Sequence, residues 1–137
     1  MTPDDAPAVA MLATQLGYPA DAGQIRDRLA GLAGTDGSAV VAEVDGRVVA
    51  WLHVETRRSL VADGEAQVMA LVVDEGCRGR GIGAALMRHA EVWAVEHGAD
   101  TVRVGSRMTR TDAHAFYQAM GYELSKSSHW FHKRMSS

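Results

Sequence analysis

The sequence predicts a mixed α/β domain built around one twisted sheet. Three observations lead to this class. Segments with helical and strand periodicity follow one another in the order helix, helix, three strands, helix, strand, helix and two strands. An Asp45-Gly46 pair separates two β-rich runs, which predicts a hairpin. A near-continuous apolar run at 65–73 has the length of a buried central strand.

Two helices open the chain. Thr2 is expected to be the N-cap of the first, with Pro3 at the first helical position and Asp5 completing a capping box. Apolar residues then recur at helical spacing until Gly17 ends the helix. Asp21 is expected to cap the second helix, whose apolar face follows the same spacing.

The remaining elements follow in order. The polar segment 57–64 is expected to be a loop between the hairpin and the central strand. A glycine turn and a long amphipathic helix come next, then a short strand with the sequence "TVRVG". A helix is predicted from Thr111 to Met120, and two closing strands are predicted at 122–124 and 129–135.

Composition limits the location and the partners. The chain has 137 residues, enough for one domain with its own core. Its single cysteine, Cys77, excludes an intrachain disulfide and a cysteine-rich zinc site, and predicts a cytoplasmic location. The N-terminus lacks the features of a signal peptide, and no apolar run is long enough to cross a membrane. A formal net charge of −3 argues against a nucleic-acid partner.

The stretch 73–84, "VDEGCRGRGIGA", is the most informative part of the sequence. Its glycines lie between a buried strand and an amphipathic helix, where a plain tight turn is one interpretation. The first turn of that helix also offers unpaired N–H groups and the positive end of the helix dipole. Two arginines add positive charge. Together these features predict a site for a phosphate or pyrophosphate group.

A dinucleotide-binding site is an alternative that the surrounding sequence excludes. Gly79, Gly81 and Ala84 fit the pattern G-x-G-x-x-A. That pattern requires a carboxylate at the end of the next strand, but Ser106 and Arg107 stand there. The chain downstream is too short for a mononucleotide-binding half, and no Gly-Lys-Ser/Thr is present for a Walker P-loop.

Two motifs together resemble one known family. Residues 78–83, "RGRGIG", match the Arg/Gln-x-x-Gly-x-Gly/Ala signature of the GNAT superfamily of N-acetyltransferases. Residues 110–122, "RTDAHAFYQAMGY", are similar to the second block of that family, Asn-x-x-Ala-x-x-Phe-Tyr-x-x-x-Gly-Phe/Tyr. Both blocks stand in the family's order and at its spacing, so the resemblance covers most of the chain.

The resemblance implies a fold and an activity. The implied fold is the GNAT acyltransferase fold, in which helices flank a central twisted mixed sheet with a splayed strand pair. It implies a single N-acetyltransferase domain over 1–137, in which the family's first strand has no counterpart before the first helix. The implied reaction moves an acetyl group directly from acetyl-CoA to a primary amine, expected to belong to a small molecule, without a metal. A non-catalytic acyl-CoA-binding module and a protein or peptide N-acetyltransferase stay open as alternatives.

The resemblance also assigns the coenzyme contacts. The pantetheine arm is expected to bond to one strand edge as an added strand would. The pyrophosphate is expected to accept hydrogen bonds from the glycine turn. Arg110 replaces the family's asparagine and is expected to orient the coenzyme, to hold the loop of the tyrosine block or to meet an anionic substrate. The residues expected to bind the coenzyme are Leu71, Val72, Val73, Arg78, Gly79, Arg80, Gly81, Ile82, Gly83, Ala84 and Arg110.

The catalytic groups are only partly determined by the resemblance. Tyr117 matches the tyrosine of the family's Phe-Tyr pair and is expected to give a proton to the leaving thiolate. The family's glutamate position on the central strand is Gln67, which is not a base. Glu65 lies on the same side of a regular strand, although a bulge would upset that parity. His53 and a positioned water are the other candidates for the base.

Two further expectations concern other side chains. Cys77 is not expected to be a nucleophile, because no histidine partner can be read from the sequence and the family uses direct transfer. The family resemblance is compatible with a homodimer, and the apolar pair Trp130-Phe131 is the candidate contact.

Overall fold

The sheet that the sequence predicts is present in a computed structural model of the chain, which describes residues 1–105, 111–125 and 130–135. The chain forms two compact units, Met1–Gly105 and Ser106–Ser137, and each is described by itself. The first unit contains α1 (Ala6–Gln15), α2 (Ala22–Leu32), β1 (Gly37–Val44), β2 (Arg47–Ser59), β3 (Ala62–Val73), α3 (Ile82–Glu96) and β4 (Val102–Val104); the second contains α4 (Thr111–Ala119).

The predicted helix starts are confirmed. The backbone N–H of Thr2 donates to the Asp5 carboxylate at 2.7 Å, and the first turn is a short 3-10 helix that leads into α1. At the start of α2, the Asp21 carboxylate accepts from the backbone N–H of Gln24 at 2.8 Å. The Gln24 side chain accepts in return from the Asp21 N–H at 3.0 Å, so the box is closed in both directions.

The hairpin between β1 and β2 is also confirmed. Asp45 has φ = 53° and Gly46 has φ = 78°, which is the type I′ geometry that matches the twist of paired strands. Asp and Gly tolerate these angles better than other residues, which is why this pair gives a strong local signal.

The loop predicted at 57–64 is wrong. β2 continues to Ser59 and β3 begins at Ala62, with Ser59 and Ala62 paired across the turn. Arg57, Arg58 and Ser59 are exposed on this paired ribbon, so cross-strand hydrogen bonding determines their conformation more than their polarity does. The central strand is therefore three residues longer at its start than the apolar run indicated.

The four strands lie in the order β1-β2-β3-β4. The first three are antiparallel neighbours, and β4 pairs with β3 in parallel after the crossover through α3. The sheet is thus mixed, as predicted. Because ligands in such α/β units bind beyond the carboxyl end of a parallel strand, this topology directs attention to the segment after β3.

Helices α1 and α3 pack against β2 and β3. Ala50, Leu52 and Val54 are buried on one face of β2, and Val68 lies beside Val54 across the pair of strands. The residues that alternate with these point to the other face, which carries the half-buried polar side chains of His53 and Glu55 as well as buried apolar side chains. Both faces of the sheet therefore contribute to the core, and the second face also carries a group of polar side chains.

The C-terminal predictions have mixed outcomes. The helix predicted from Thr111 is confirmed as α4, and Gly121 follows it with φ = 92°. The two closing strands are wrong over the residues that the structure describes, since 122–125 and 130–135 form no strand. An alternating pattern predicts a strand only where another strand offers its edge, and the sequence pattern does not supply that partner.

Within the described ranges, no helix is both long and apolar enough to span a bilayer.

Candidate functional site

The glycine turn connects β3 to α3 and has the backbone conformation that an anion site requires. Gly79 and Gly81 have φ = 79° and φ = 77°, in the left-handed region that favours glycine. A Cβ built at either position would meet no atom within 4 Å. The glycines are therefore required by backbone conformation, and the space outside the turn is open to a ligand.

The first turn of α3 presents hydrogen-bond donors to that space. Gly81 is the N-cap and has no side chain with which to cap the helix. The first intrahelical bond runs from the Ala85 N–H to the Gly81 carbonyl at 3.0 Å. The N–H groups of Ile82, Gly83 and Ala84 precede that bond and so have no acceptor within the helix. Three donors at the positive end of a 15-residue helix fit a pyrophosphate.

Side chains around the turn hold its conformation. The Asp74 carboxylate accepts from the Gly76 N–H at 3.3 Å and pairs with the Arg47 guanidinium at 3.5 Å. The same guanidinium lies 3.9 Å from the Cys77 sulfur, which is buried. Cys77 therefore packs under the turn, in a place that suits a structural residue. Arg78 and Arg80 are exposed beside it.

Beyond Val68, one edge of β3 has no strand partner among the described residues. Its described pairing with β4 ends at Val68 and Val104, whereas β3 itself continues to Val73. Over this stretch β3 stays paired with β2 on its other side, with Leu71 opposite Leu52. β4 ends at Val104, so the described residues pair with this side of β3 only as far as Val68. An extended amide chain that starts at the turn can follow this edge until β4 closes it.

A β-bulge lies just beyond the end of the described β3–β4 pairing. Ala70 pairs with His53 and Val68 pairs with Val54, so Met69 is an extra residue in β3. The bulge changes the parity of the strand. The side chains of Glu65 and Gln67 share a face with Ala70 beyond it, and no longer with Leu71 and Val73 as they would in a regular strand.

The polar face of the sheet carries two ion pairs. His53 Nε2 lies 3.1 Å from Glu55 Oε1, and their side chains are 23% and 29% exposed. Arg103 Nη1 on β4 lies 3.3 Å from Glu65 Oε1. Gln67 pairs with Glu55 on one side and with Arg103 on the other, so it lies between these two ion pairs.

Glu55 is a candidate site residue that sequence reasoning missed. It lies directly across from Gln67, which stands at the position where the family resemblance implies a glutamate. The alternation of His53 and Glu55 in a strand indicated a shared face. Their position beside Gln67 depends on the bulge at Met69, for which the sequence has no local signal.

A buried hydrogen-bond donor, the indole N–H of Trp51, lies on the same face of the sheet. Trp51 Nε1 is buried and has no hydrogen-bond partner among the described residues. Trp51 lies two residues before His53 and so points to the same face. A buried donor of this kind favours a water or a polar ligand group nearby.

Tyr117 lies on α4 in the second unit. Its ring packs edge-to-face with Phe116, with centroids 5.1 Å apart, and with Tyr122 at 6.1 Å. Two aromatic neighbours therefore restrict the ring orientation. Arg110 and Arg107 lie outside the described residues. No group of three or more metal-ligating side chains occurs in the part of the chain that the structure covers.

Several known proteins are similar to this chain in sequence. The model of the Acetyltransferase (GNAT) family matches residues 6–122. Aminoglycoside N(6')-acetyltransferase type 1 from Stenotrophomonas maltophilia is 30% identical over 128 residues, which cover 89% of this chain and 82% of that protein. N-acetylaspartate synthetase from Homo sapiens is 31% identical over 91 residues, which cover 66% of this chain. The matched region spans only 29% of that longer relative.

A solved structure supports the same assignment at the level of the fold. AAC(6')-Iy in complex with the bisubstrate analog CoA-S-monomethyl-acetylneamine has a TM-score of 0.84 and 20% identity, over 98% of this chain and 95% of that chain. The predicted fold is thereby confirmed. With the family match extending over both sequence blocks, the chain belongs to the GNAT acetyltransferase family.

Proposed function

We propose that this protein transfers the acetyl group of acetyl-CoA to a primary amine of a small molecule. The observation that carries the proposal is the glycine turn at the N-terminus of α3, which follows a strand whose described pairing with β4 ends at Val68. Two relatives support a small acceptor, since one is named for aminoglycosides and the other for N-acetylaspartate.

The coenzyme contacts follow from the two open features. The pyrophosphate accepts from the backbone N–H groups of the turn and of the first turn of α3, residues 78–84. The pantetheine arm bonds to the free edge of β3 at residues 71–73, where main-chain groups provide recognition and the side chains face the sheet surfaces. Arg110 orients the coenzyme from the second motif.

Three tasks fall to the protein during transfer. A base must take a proton from the ammonium form of the acceptor, because only a neutral amine attacks a carbonyl carbon. A backbone N–H of β3 beside the bulge stabilises the charge that develops on the carbonyl oxygen. Tyr117 gives a proton to the departing thiolate. Glu65, His53 and a bound water are the candidates for the base.

The assembly around this site is also part of the proposal. Residues 1–137 act as one N-acetyltransferase domain in the cytoplasm, as a homodimer. Trp130 and Phe131 are exposed in the described part of the second unit, and they provide apolar surface for the contact. Sedimentation at several protein concentrations tests the homodimer, with Trp130→Ser as the comparison. A wild-type protein that is monomeric at every concentration would contradict it.

Release of free thiol from acetyl-CoA tests the function directly. The purified protein is incubated with acetyl-CoA and a panel of aminoglycosides, polyamines, amino acids and lysine-containing peptides, and the products are identified by mass spectrometry. We expect amine-dependent thiol release with at least one small amine. Turnover restricted to peptides would replace the small-molecule acceptor by a protein acceptor. Binding of acetyl-CoA without release by any amine would identify a non-catalytic binding module.

A further inference from the structure

The position of the acyl group can be deduced from the edge of β3. The coenzyme enters at the glycine turn, beyond Val73, and its arm follows the strand toward residue 69. β4 closes that edge at Val68 and Val104, so the arm ends near the Met69 bulge. The base must therefore act close to residues 69 and 70, where the acceptor amine meets the acyl carbon.

His53 lies next to this point. It pairs with Ala70, the residue that follows the bulge, and neighbouring strands are about 4.8 Å apart. Ala70 presents only a methyl group on the shared face, so it does not screen the imidazole from the open edge. The distance across β3 to the edge is about two strand spacings, roughly 10 Å. The imidazole and one water molecule together can cover it.

Glu65 is farther away and already paired. It precedes Met69 by four residues, which is about 13 Å along a strand. Its Oε1 atom lies 3.3 Å from the Arg103 guanidinium, so this oxygen already accepts a hydrogen bond from another side chain. Both distance and pairing therefore favour His53 over Glu65.

We infer that His53 accepts the proton of the acceptor amine and that Glu55 is the residue that positions it. The inference rests on the acetyl transfer proposed above and assigns its base. An ionised carboxylate can only accept hydrogen bonds, so in the 3.1 Å contact the hydrogen is on His53 Nε2. This contact fixes the tautomer and leaves Nδ1 as the nitrogen that takes the proton.

The proton and electron changes balance. The ammonium group of the acceptor loses a proton to Nδ1, and the resulting imidazolium is stabilised by the Glu55 carboxylate. The amine lone pair forms the C–N bond, the C–S bond breaks, and the thiolate leaves with the electron pair and takes a proton from the acid. The acylated nitrogen then loses a second proton, which replaces the one that the acid gave. The imidazolium passes the first proton to solvent, so each turnover releases one proton. Among the described residues, the other charged side chains on this face of the sheet are Glu43, Arg57, Glu65 and Arg103, and the β1 partner of His53 is Ala39.

His53→Gln tests the assignment against His89→Gln, a substitution at an exposed position of α3. We expect His53→Gln to lower kcat by about 10²–10⁴-fold, the range typical of a lost acid–base group. It will also remove the rise of kcat/KM with pH on the acidic side. Acetyl-CoA affinity, measured by calorimetry, will stay at the wild-type value in both variants. A His53→Gln enzyme with wild-type kcat and an unchanged acidic limb would overturn the inference.

Glu55→Gln separates positioning from folding. Glutamine retains an oxygen that accepts from Nε2 but lacks the charge that stabilises the imidazolium. In Glu55→Gln kcat will therefore fall while KM and acetyl-CoA affinity stay at the wild-type values, whereas Glu55→Ala will lose more of kcat because the tautomer is no longer fixed. An unchanged kcat in both Glu55 variants would contradict the positioning role.

Two results separate this inference from the proposed function. If Glu65→Gln abolishes the acidic limb and His53→Gln preserves it, the enzyme is an acetyltransferase whose base is Glu65, and the inference alone is overturned. If the wild-type protein binds acetyl-CoA but releases no thiol with any amine, the proposed function is overturned and this assignment with it.

Discussion

Gly83 is the second residue of α3, a position where one substitution can change anion binding and helix stability in opposite directions. A carboxylate at this position interacts favourably with the helix dipole, typically by 0.3–1 kcal/mol at other helix N-termini. The same carboxylate would stand where a pyrophosphate is expected. A single substitution should therefore raise the stability of the free protein and weaken coenzyme binding.

We expect Gly83→Asp to bind acetyl-CoA at least about tenfold more weakly than Gly83→Asn, since about 1.4 kcal/mol of charge repulsion is a factor of ten. Both variants add a side chain of the same shape, so their ratio isolates the charge. Thermal unfolding without ligand should give Gly83→Asp a Tm no lower than that of Gly83→Asn. Equal affinities in calorimetry would show that the anion lies elsewhere.

Tyr117 provides a second prediction at this scale. Tyr117→Phe removes the phenolic proton and keeps the ring that packs between Phe116 and Tyr122. We expect kcat for thiol release to fall by about 10²–10⁴-fold with little change in acetyl-CoA affinity. Tyr122→Phe removes a hydroxyl from the neighbouring ring and serves as the control. Unchanged turnover in Tyr117→Phe would remove the acid assignment.

At the scale of elements, helix α2 shows how strongly a local signal determines structure. The box between Asp21 and Gln24 satisfies two backbone donors at the start of the helix. Asp21→Ala should lower the free energy of unfolding by about 1 kcal/mol, as measured by urea denaturation. Asp27→Ala, at an exposed position within the same helix, should change it by less than about 0.5 kcal/mol. Equal effects of the two substitutions would contradict the capping role.

The difference between local signals and pairing between distant strands explains what the sequence could and could not predict. Asp21 and the Asp45-Gly46 pair were identified because a cap and a type I′ turn depend on one or two residues. The extension of β2 to Ser59 and the bulge at Met69 depend on pairing between strands, which no single segment determines. Glu55 was missed for this reason, since only the register places it beside Gln67.

The closing strands were predicted from the sequence but are not found in the described residues of these segments. The segment 129–135 has an alternating pattern, yet its described part, 130–135, forms no strand. Alternation reports which residues could share a face, and a strand also requires backbone partners along one edge. Motif recognition was not affected, because the block at 110–122 is identified by residue types at fixed spacing.

At the scale of the molecule, the parallel pair β3–β4 and its crossover helix determine where the site lies. The crossover places the N-terminus of α3 directly after the carboxyl end of β3. The glycine turn, the open edge and the Met69 bulge then follow one another along a single strand and its continuation. The sheet thus accounts for both the position proposed for the coenzyme and the face from which the proposed base acts.

Calorimetric titration of acetyl-CoA into the intact protein is the most direct test of this account. We expect one site per chain, with a dissociation constant on the order of micromolar, as is usual for a substrate of this class. Free coenzyme A should compete for the same site, because the turn and the strand edge recognise the coenzyme and not the acetyl group. Absence of heat at high acetyl-CoA concentration, together with no protection against thermal unfolding, would contradict the central claim.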